Sequence, residues 1–255
     1  MAITLKKPSE IQKLARSNQY VAQTLVYLQR TVVPGMSLAH VNQLGEAFLA
    51  RLHVRPAFKG LYGFPGGVCT SLNEVVIHGI PNETILQEGD ILGLDIGAEC
   101  EGWYGDAAIT MPIGKISSED EALIACAKDA LYYAVDIIRE GMRFKELSHA
   151  LEVFIEGRGY VPLRGFCGHG IGRKPHEEPE IPNFLEGGNP KQGPKIKNGM
   201  VFCLEPMICQ KDGTPVVLED KWSVVSKDGL RTSHYEHTVA VIDGRAQILS
   251  QIASN

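Results

Sequence analysis

The sequence predicts an α+β fold, on three observations. Helix-period and strand-period stretches come in runs, as helix, helix, strands and again helix, helix, strands, rather than in strict alternation. Turn signals such as Asp-Gly at 212–213, 228–229 and 243–244 separate the last strands closely enough for antiparallel pairing. No low-complexity linker interrupts the 255 residues, so the chain is expected to be one domain, 1–255, with halves of about 1–115 and 116–255.

Ser9 is placed to cap a first helix whose apolar positions are Ile11, Leu14, Val21, Ala22, Leu25 and Leu28, stopped by Val33-Pro34-Gly35. Ser37 caps a second, with Leu38, Val41, Leu44, Phe48 and Leu52 on one face. Residues 55–67, rich in Gly and aromatic side chains, read as loop, and 68–80 as strand, turn and strand. Ser118 opens a third helix that Gly141 closes, and a fourth covers 145–156. Strands return at 161–167. The Pro/Gly-rich stretch 172–199 reads as loop, followed by strands near 200–209, 214–218, 222–225, 234–242 and 246–249.

Composition narrows the class. A net charge of -5 argues against a nucleic-acid scaffold, and no apolar run reaches the roughly 18 residues of a membrane helix. The start, MAITLKKPSEIQ, has no apolar core of signal-peptide length. Cysteines 69, 100, 126, 167, 203 and 209 form no C-x-x-C pair, so reduced thiols and a cytoplasmic location are expected. No apolar stripe asks for a partner, which suggests a monomer.

The chemistry concentrates where polar residues interrupt apolar strands. Asp95 lies in Gly93-Leu94-Asp95-Ile96-Gly97 and Asp106 in Trp103-Tyr104-Gly105-Asp106-Ala107, with Glu99-Cys100-Glu101-Gly102 as the turn between. With the turn centred between Cys100 and Glu101, Asp95 faces Asp106 directly, and Gly93 and Gly97 leave room beside it. Two carboxylates about 4 Å apart repel by about 4 kcal/mol at an effective dielectric near 20, so something positive belongs between them. His169 stands among glycines in Cys167-Gly168-His169-Gly170-Ile171-Gly172, which leaves its imidazole unhindered. Glu205 sits inside the apolar run Phe202-Cys203-Leu204-Glu205-Pro206-Met207, and Glu236 enters the strand that begins His234-Tyr235-Glu236-His237. Carboxylates at that depth are tolerated when paired or bound to metal. Four carboxylates and one imidazole balance two divalent cations of the Co, Mn, Fe, Zn or Ni kind.

These motifs, in this order, resemble bacterial methionine aminopeptidase of type I. So do N-E-V-V-I-H-G-I-P at 73–81, H-E-E-P at 176–179, G-M-V-F-C-L-E-P at 199–206 and Y-E-H-T at 235–238. The resemblance runs from about residue 5 to 250. It implies a pita-bread fold, two pseudo-symmetric α/β halves around a curved antiparallel sheet. It implies one metal on Asp106, His169, Glu205 and Glu236, and a second on Asp95, Asp106 and Glu236. A metal-held water would attack the first peptide carbonyl while Glu205 takes its proton. His176 would hydrogen-bond the carbonyl oxygen, and His78 would contact the scissile amide nitrogen. Phe64, Cys69 and Trp222 would line a methionine pocket, with His78 and His176 on its substrate side.

Leu61 and Pro175 depart from the aromatic residues that many bacterial relatives carry there. The implied partners are N-terminal methionyl peptides and nascent chains. This chain's own start, Met1-Ala2, would itself be a substrate. Lys191, Lys195 and Lys197 suggest weak docking to the ribosome. Two alternatives remain: a proline-directed peptidase of the same fold, which usually carries an added N-terminal domain, and a binding module that has lost catalysis.

Overall fold

The computed structural model describes residues 2–251; Met1, and with it the Met1-Ala2 start, lies outside the described residues. Helices α1 (Pro8–Thr31) and α2 (Leu38–Arg51) precede strands β1 (Arg55–Pro56), β2 (Val68–Leu72), β3 (Val75–Ile77), β4 (Ile91–Cys100) and β5 (Trp103–Pro112). Helices α3 (Ser118–Ile137) and α4 (Phe144–Glu156) then lead into β6 (Val161–Pro162), β7 (Cys167–Gly170) and β8 (Glu177–Pro182). The chain ends in β9 (Val201–Leu204), β10 (Met207–Cys209), β11 (Pro215–Val217), β12 (Val224–Ser226), β13 (Thr232–His234), β14 (Glu236–Ile242) and β15 (Arg245–Ile248).

Some helix boundaries differ from expectation. Pro8, with its fixed φ and no N–H, takes the first position of α1, and the Lys7 N–H donates to Glu10 Oε2 at 2.8 Å, so Ser9 is already helical. Ser118 opens α3 as expected, with Ser117 capping it by accepting the Asp120 N–H, and that helix ends at Ile137 instead of running to Gly141. Ser37 caps α2 as expected.

Among the described residues the main sheet runs β1-β4-β5-β14-β9-β7-β8, with β2 added on β4 and β15 on β14. Two three-stranded sheets, β13-β10-β6 and β11-β12-β3, stand beside it. Two of these strands fall in stretches whose composition predicts loop. β1 is only two residues long, and the prolines of β8 mask a six-residue strand paired with β7.

Strand alternation gives the main sheet two faces, one of them packed under the helices. Leu94, Ile96, Ala107 and Ile109 pack beneath Val21, Leu25, Leu28, Val41 and Leu49 of α1 and α2. Phe202, Leu204, Val239 and Val241 pack beneath Leu123, Leu131, Leu147 and Leu151 of α3 and α4. Each helix pair therefore covers its own part of one sheet. The alternate positions, which include Asp95, Asp106 and Glu236, point the other way.

Candidate active site

The hairpin that carries the two aspartates turns two-residue tight at Glu101-Gly102, both left-handed with φ of 55° and 75°. That is the backbone a hairpin twist favours, and Gly102 makes it accessible. Cys100 consequently pairs with Trp103, Asp95 with Ala108, and Gly97 with Asp106. The expected direct Asp95–Asp106 pairing is corrected to a diagonal one. Because the register moves by two, both carboxylates stay on the same face, and the charge of Asp95 helps to raise the pKa of Asp106. Gly97 leaves its room to Phe58, whose Cε1 would lie 2.6 Å from a Cβ there, rather than to the carboxylates.

Glu205 and Glu236 stand at two joints in the chain. The run from β9 to β10 breaks at Glu205-Pro206, and the run from β13 to β14 breaks at Tyr235. In the main sheet Leu204 pairs with His237, and in a small sheet Met207 pairs with His234. Two strands therefore fork together from one sheet into the other, and the Tyr235 N–H donates to Pro206 O across the fork at 3.3 Å. Asn183 holds the joint by donating to Glu205 O at 2.9 Å. The Glu205 carboxylate lies 3.5 Å from His169 Nε2 and 4.0 Å from His234 Nε2.

The glycines around His169 serve the backbone more than the ring. A Cβ at Gly168 would collide with the Cys203 carbonyl, and one at Gly170 with the Glu178 carbonyl, so neighbouring strands approach closely. His169 Nδ1 lies 3.0 Å from Gly170 O. A carbonyl only accepts, so Nδ1 carries the proton and Nε2 is left with a free lone pair. Burial pushes this imidazole down to about 3.

The carboxyls shift the other way. Burial raises Asp95 to about 7, and burial with mutual repulsion raises Asp106, Glu205 and Glu236 well above the usual range. Asp95 Oδ1, Asp106 Oδ1 and Glu236 Oε1 are buried without a hydrogen-bond partner. Unsatisfied buried carboxylate oxygens facing one free imidazole lone pair fit a divalent cation.

Ligand-type atoms of Asp106, His169, Cys203 and Glu236 all lie within 4.8 Å of one another. Cys203 is nevertheless a poor donor. Its Sγ sits 3.5 Å from Thr238 Oγ1, which engages the sulfur within the sheet. Glu205, whose Oε1 lies 3.5 Å from His169 Nε2, offers a further carboxylate to the same cluster.

A cavity of about 500 Å³ opens onto this cluster. Phe64 packs edge-on against Trp222 at 5.2 Å, and Cys69 joins them in one apolar group with Phe58. His78, in a left-handed conformation (φ 58°), packs edge-on against Phe166 at 5.9 Å and Trp222 at 6.4 Å. Opposite, His176 lies 4.4 Å from the His169 ring. Burial lowers both imidazoles, His78 to about 4.

All ten residues singled out in the sequence line this one cavity: Phe64, Cys69, His78, Asp95, Asp106, His169, His176, Glu205, Trp222 and Glu236. Sequence reasoning missed four neighbours. Phe58, Tyr62 and Phe166 lie in segments read as loop or strand end. His234, two residues before Glu236, has its Nε2 4.0 Å from the Glu205 carboxylate.

Residues 12–243 match the metallopeptidase family M24. A methionine aminopeptidase of Helicobacter pylori (strain ATCC 700392 / 26695) is 61% identical over 252 residues, covering 98% of this chain and 100% of that protein. Methionine aminopeptidase 1 of Bacillus subtilis (strain 168) is 36% identical over 98% of this chain and 100% of its own length. A crystal structure of methionine aminopeptidase from Thermotoga maritima superposes with a TM-score of 0.94 at 37% identity, covering 98% of this chain and 100% of the other. The pita-bread fold expected from the motifs is therefore the fold present. With its family match spanning most of the chain and its relatives aligned end to end, the protein belongs to metallopeptidase family M24.

Proposed function

We propose that the chain removes the N-terminal methionine from polypeptides whose second residue is small. The observation that carries this is the meeting, in one cavity, of a buried carboxylate–imidazole cluster with an apolar, aromatic-walled recess. Phe58, Phe64, Cys69 and Trp222 offer an unbranched thioether only apolar and ring-edge contact, which suits methionine. The high identity to proteins named methionine aminopeptidase supports the same reading.

Asp106, His169, Glu205 and Glu236 would hold one divalent ion, and Asp95, Asp106 and Glu236 a second. Such ions supply Lewis acidity and lower the pKa of a water nucleophile. The remaining work falls to the chain. Glu205 accepts a proton and returns it to the leaving amine; burial raises its basicity for that task. His176, held neutral by burial, donates an N–H to the scissile carbonyl as negative charge develops. His78, also neutral, contacts the scissile amide nitrogen from beside the aromatic wall. Asp95 attracts the free α-amine, which confines cleavage to chain ends.

The whole chain acts as one catalytic domain whose halves meet at the main sheet. A cytoplasmic location accords with six free cysteines. Release of methionine from a Met-Ala-Ser peptide, assayed with Co, Mn, Fe, Zn and Ni in turn, tests the proposal; no release with any of them would overturn it.

A further inference from the structure

Lys6 is the one buried lysine among the described residues, at 7% exposure. Its Nζ lies 2.6 Å from Glu177 Oε2, 171 positions along the chain. An ammonium is kept from water when a charge compensates it, and Glu177, itself only 17% exposed in its side chain, is that charge. The backbone of Lys6 is fixed too, since its N–H donates to Gly199 O at 2.6 Å, on the turn into β9.

The other oxygen of Glu177 faces the loop that joins β7 to β8. Oε1 accepts the Arg173 N–H at 2.7 Å and the Lys174 N–H at 3.2 Å. Gly172 fits into the angle of the pair: a Cβ there would come within 2.7 Å of Lys6 Nζ and 2.6 Å of Glu177 Oε1. The first half of the loop has further ties. The Tyr104 N–H donates to Gly172 O, and the Arg173 guanidinium stacks on Trp103. The second half leads through Pro175 to His176, whose neighbour is Glu177 itself.

We propose that Lys6 and Glu177 form a positioning pair for His176. The ion pair fixes the Glu177 carboxylate, the carboxylate fixes the loop, and the loop fixes the imidazole over the cavity. This rests on the role given to His176 above. Misplacing a catalytic group by about 1 Å from a distant change costs up to a hundredfold in rate. A loop that has merely loosened should cost less, roughly tenfold.

The experiment compares Lys6→Met, Lys6→Arg and Glu177→Gln in the wild-type and His176→Ala backgrounds, with kcat expressed per folded molecule. Lys6→Met should lower kcat roughly tenfold with KM within about twofold, as expected for a group acting in the transition state. Lys6→Arg should restore most of the loss, and Lys6→Met should cost nothing more once His176 is absent. Independently of turnover, the ring C–H resonances of His176, assigned through His176→Ala, should shift or broaden in Lys6→Met and return in Lys6→Arg. Should Lys6→Met fail to fold, Lys6→Met/Glu177→Gln removes both charges and carries the same comparisons. Unmoved His176 resonances, or an equal loss with and without His176, would make the pair a structural strut and overturn the proposal. If the wild type releases no methionine, the functional reading fails while the resonances still decide what Lys6 positions.

Discussion

With its metal removed by a chelator, this protein should lose stability as pH rises above neutrality. Burial raises Asp95 from 3.8 to about 7, and lifts Asp106, Glu205 and Glu236 well above their ordinary values. A group whose folded pKa is raised binds more protons folded than unfolded. Its stabilising effect is complete below the unfolded pKa and disappears as pH climbs through the folded one. For Asp95 alone this is on the order of 4 kcal/mol between about pH 4 and 7.

Histidines oppose it over part of that range. His78 and His237 are lowered to about 4, and His169 and His234 to about 3, so their effect grows until pH reaches 6.5. Above that point the histidines no longer oppose the carboxyls. A carboxyl that stays protonated in the folded state while ionised in the unfolded one contributes about 1.4 kcal/mol per pH unit. One such group shifts the unfolding midpoint of a chain this size by roughly 3–6 °C per pH unit.

Circular dichroism melts in chelator from pH 6.5 to about 7.5, about one unit below the pKa of an unfolded thiol, measure this slope. Saturating divalent metal should flatten it, because the ligands are then deprotonated throughout. Glu236→Gln should reduce the chelated slope. A chelated midpoint that stays level or rises over this window would refute the argument that these carboxyls are buried against one another.

Three further outcomes follow from the site. Glu205→Gln should abolish turnover by at least a thousandfold, on the order of 4 kcal/mol or more in barrier, while circular dichroism stays native; near-normal rates in a metal-replete assay would remove Glu205 from the proton path. Met-Ala and Met-Ser peptides should exceed Met-Leu and Met-Lys at least about tenfold in kcat/KM, because overpacking a stiff site costs about 1–3 kcal/mol. His78 is held stiffly, as Gly79 behind it packs against the Thr70 carbonyl; similar rates for all four peptides would mean an open site. Lys191, Lys195 and Lys197 are exposed, and replacing all three with glutamate should cut ribosome co-sedimentation at low salt without changing peptide hydrolysis, with unchanged sedimentation counting against docking there.

The candidate site was legible because its residues break local rules. Asp95, Asp106, Glu205 and Glu236 each interrupt an apolar strand, where the desolvation penalty makes an idle carboxylate untenable. What stayed hidden depends on backbone detail. A glutamate at φ 55° is an unusual turn former, so the true centre at Glu101-Gly102 was displaced by one residue. The error spared the face because the pairing sum changed by two. β8 was lost because Pro179 and Pro182 give a sheet strand the composition of a loop. Lys6 gave no signal at all. A lysine near a chain start reads as solvated, and only the fold carries Glu177 to it from 171 residues away.

The shared fork at Glu205 and Glu236 has a consequence for how the molecule opens. Each glutamate belongs to a strand that leaves the main sheet and enters the small one, and the two strands leave together. No partial opening can free one glutamate without parting both sheets, so the amides of Leu204, His237, Met207 and His234 should exchange with solvent only on global unfolding. The rim is different. The turn Leu61–Gly63 holds Tyr62 at 76% exposure, with left-handed residues at Gly60 and Gly63 on either side. Its amides should exchange orders of magnitude faster. On this expectation the entrance that admits a chain end would open on its own, while the floor would keep its geometry until the whole molecule unfolds.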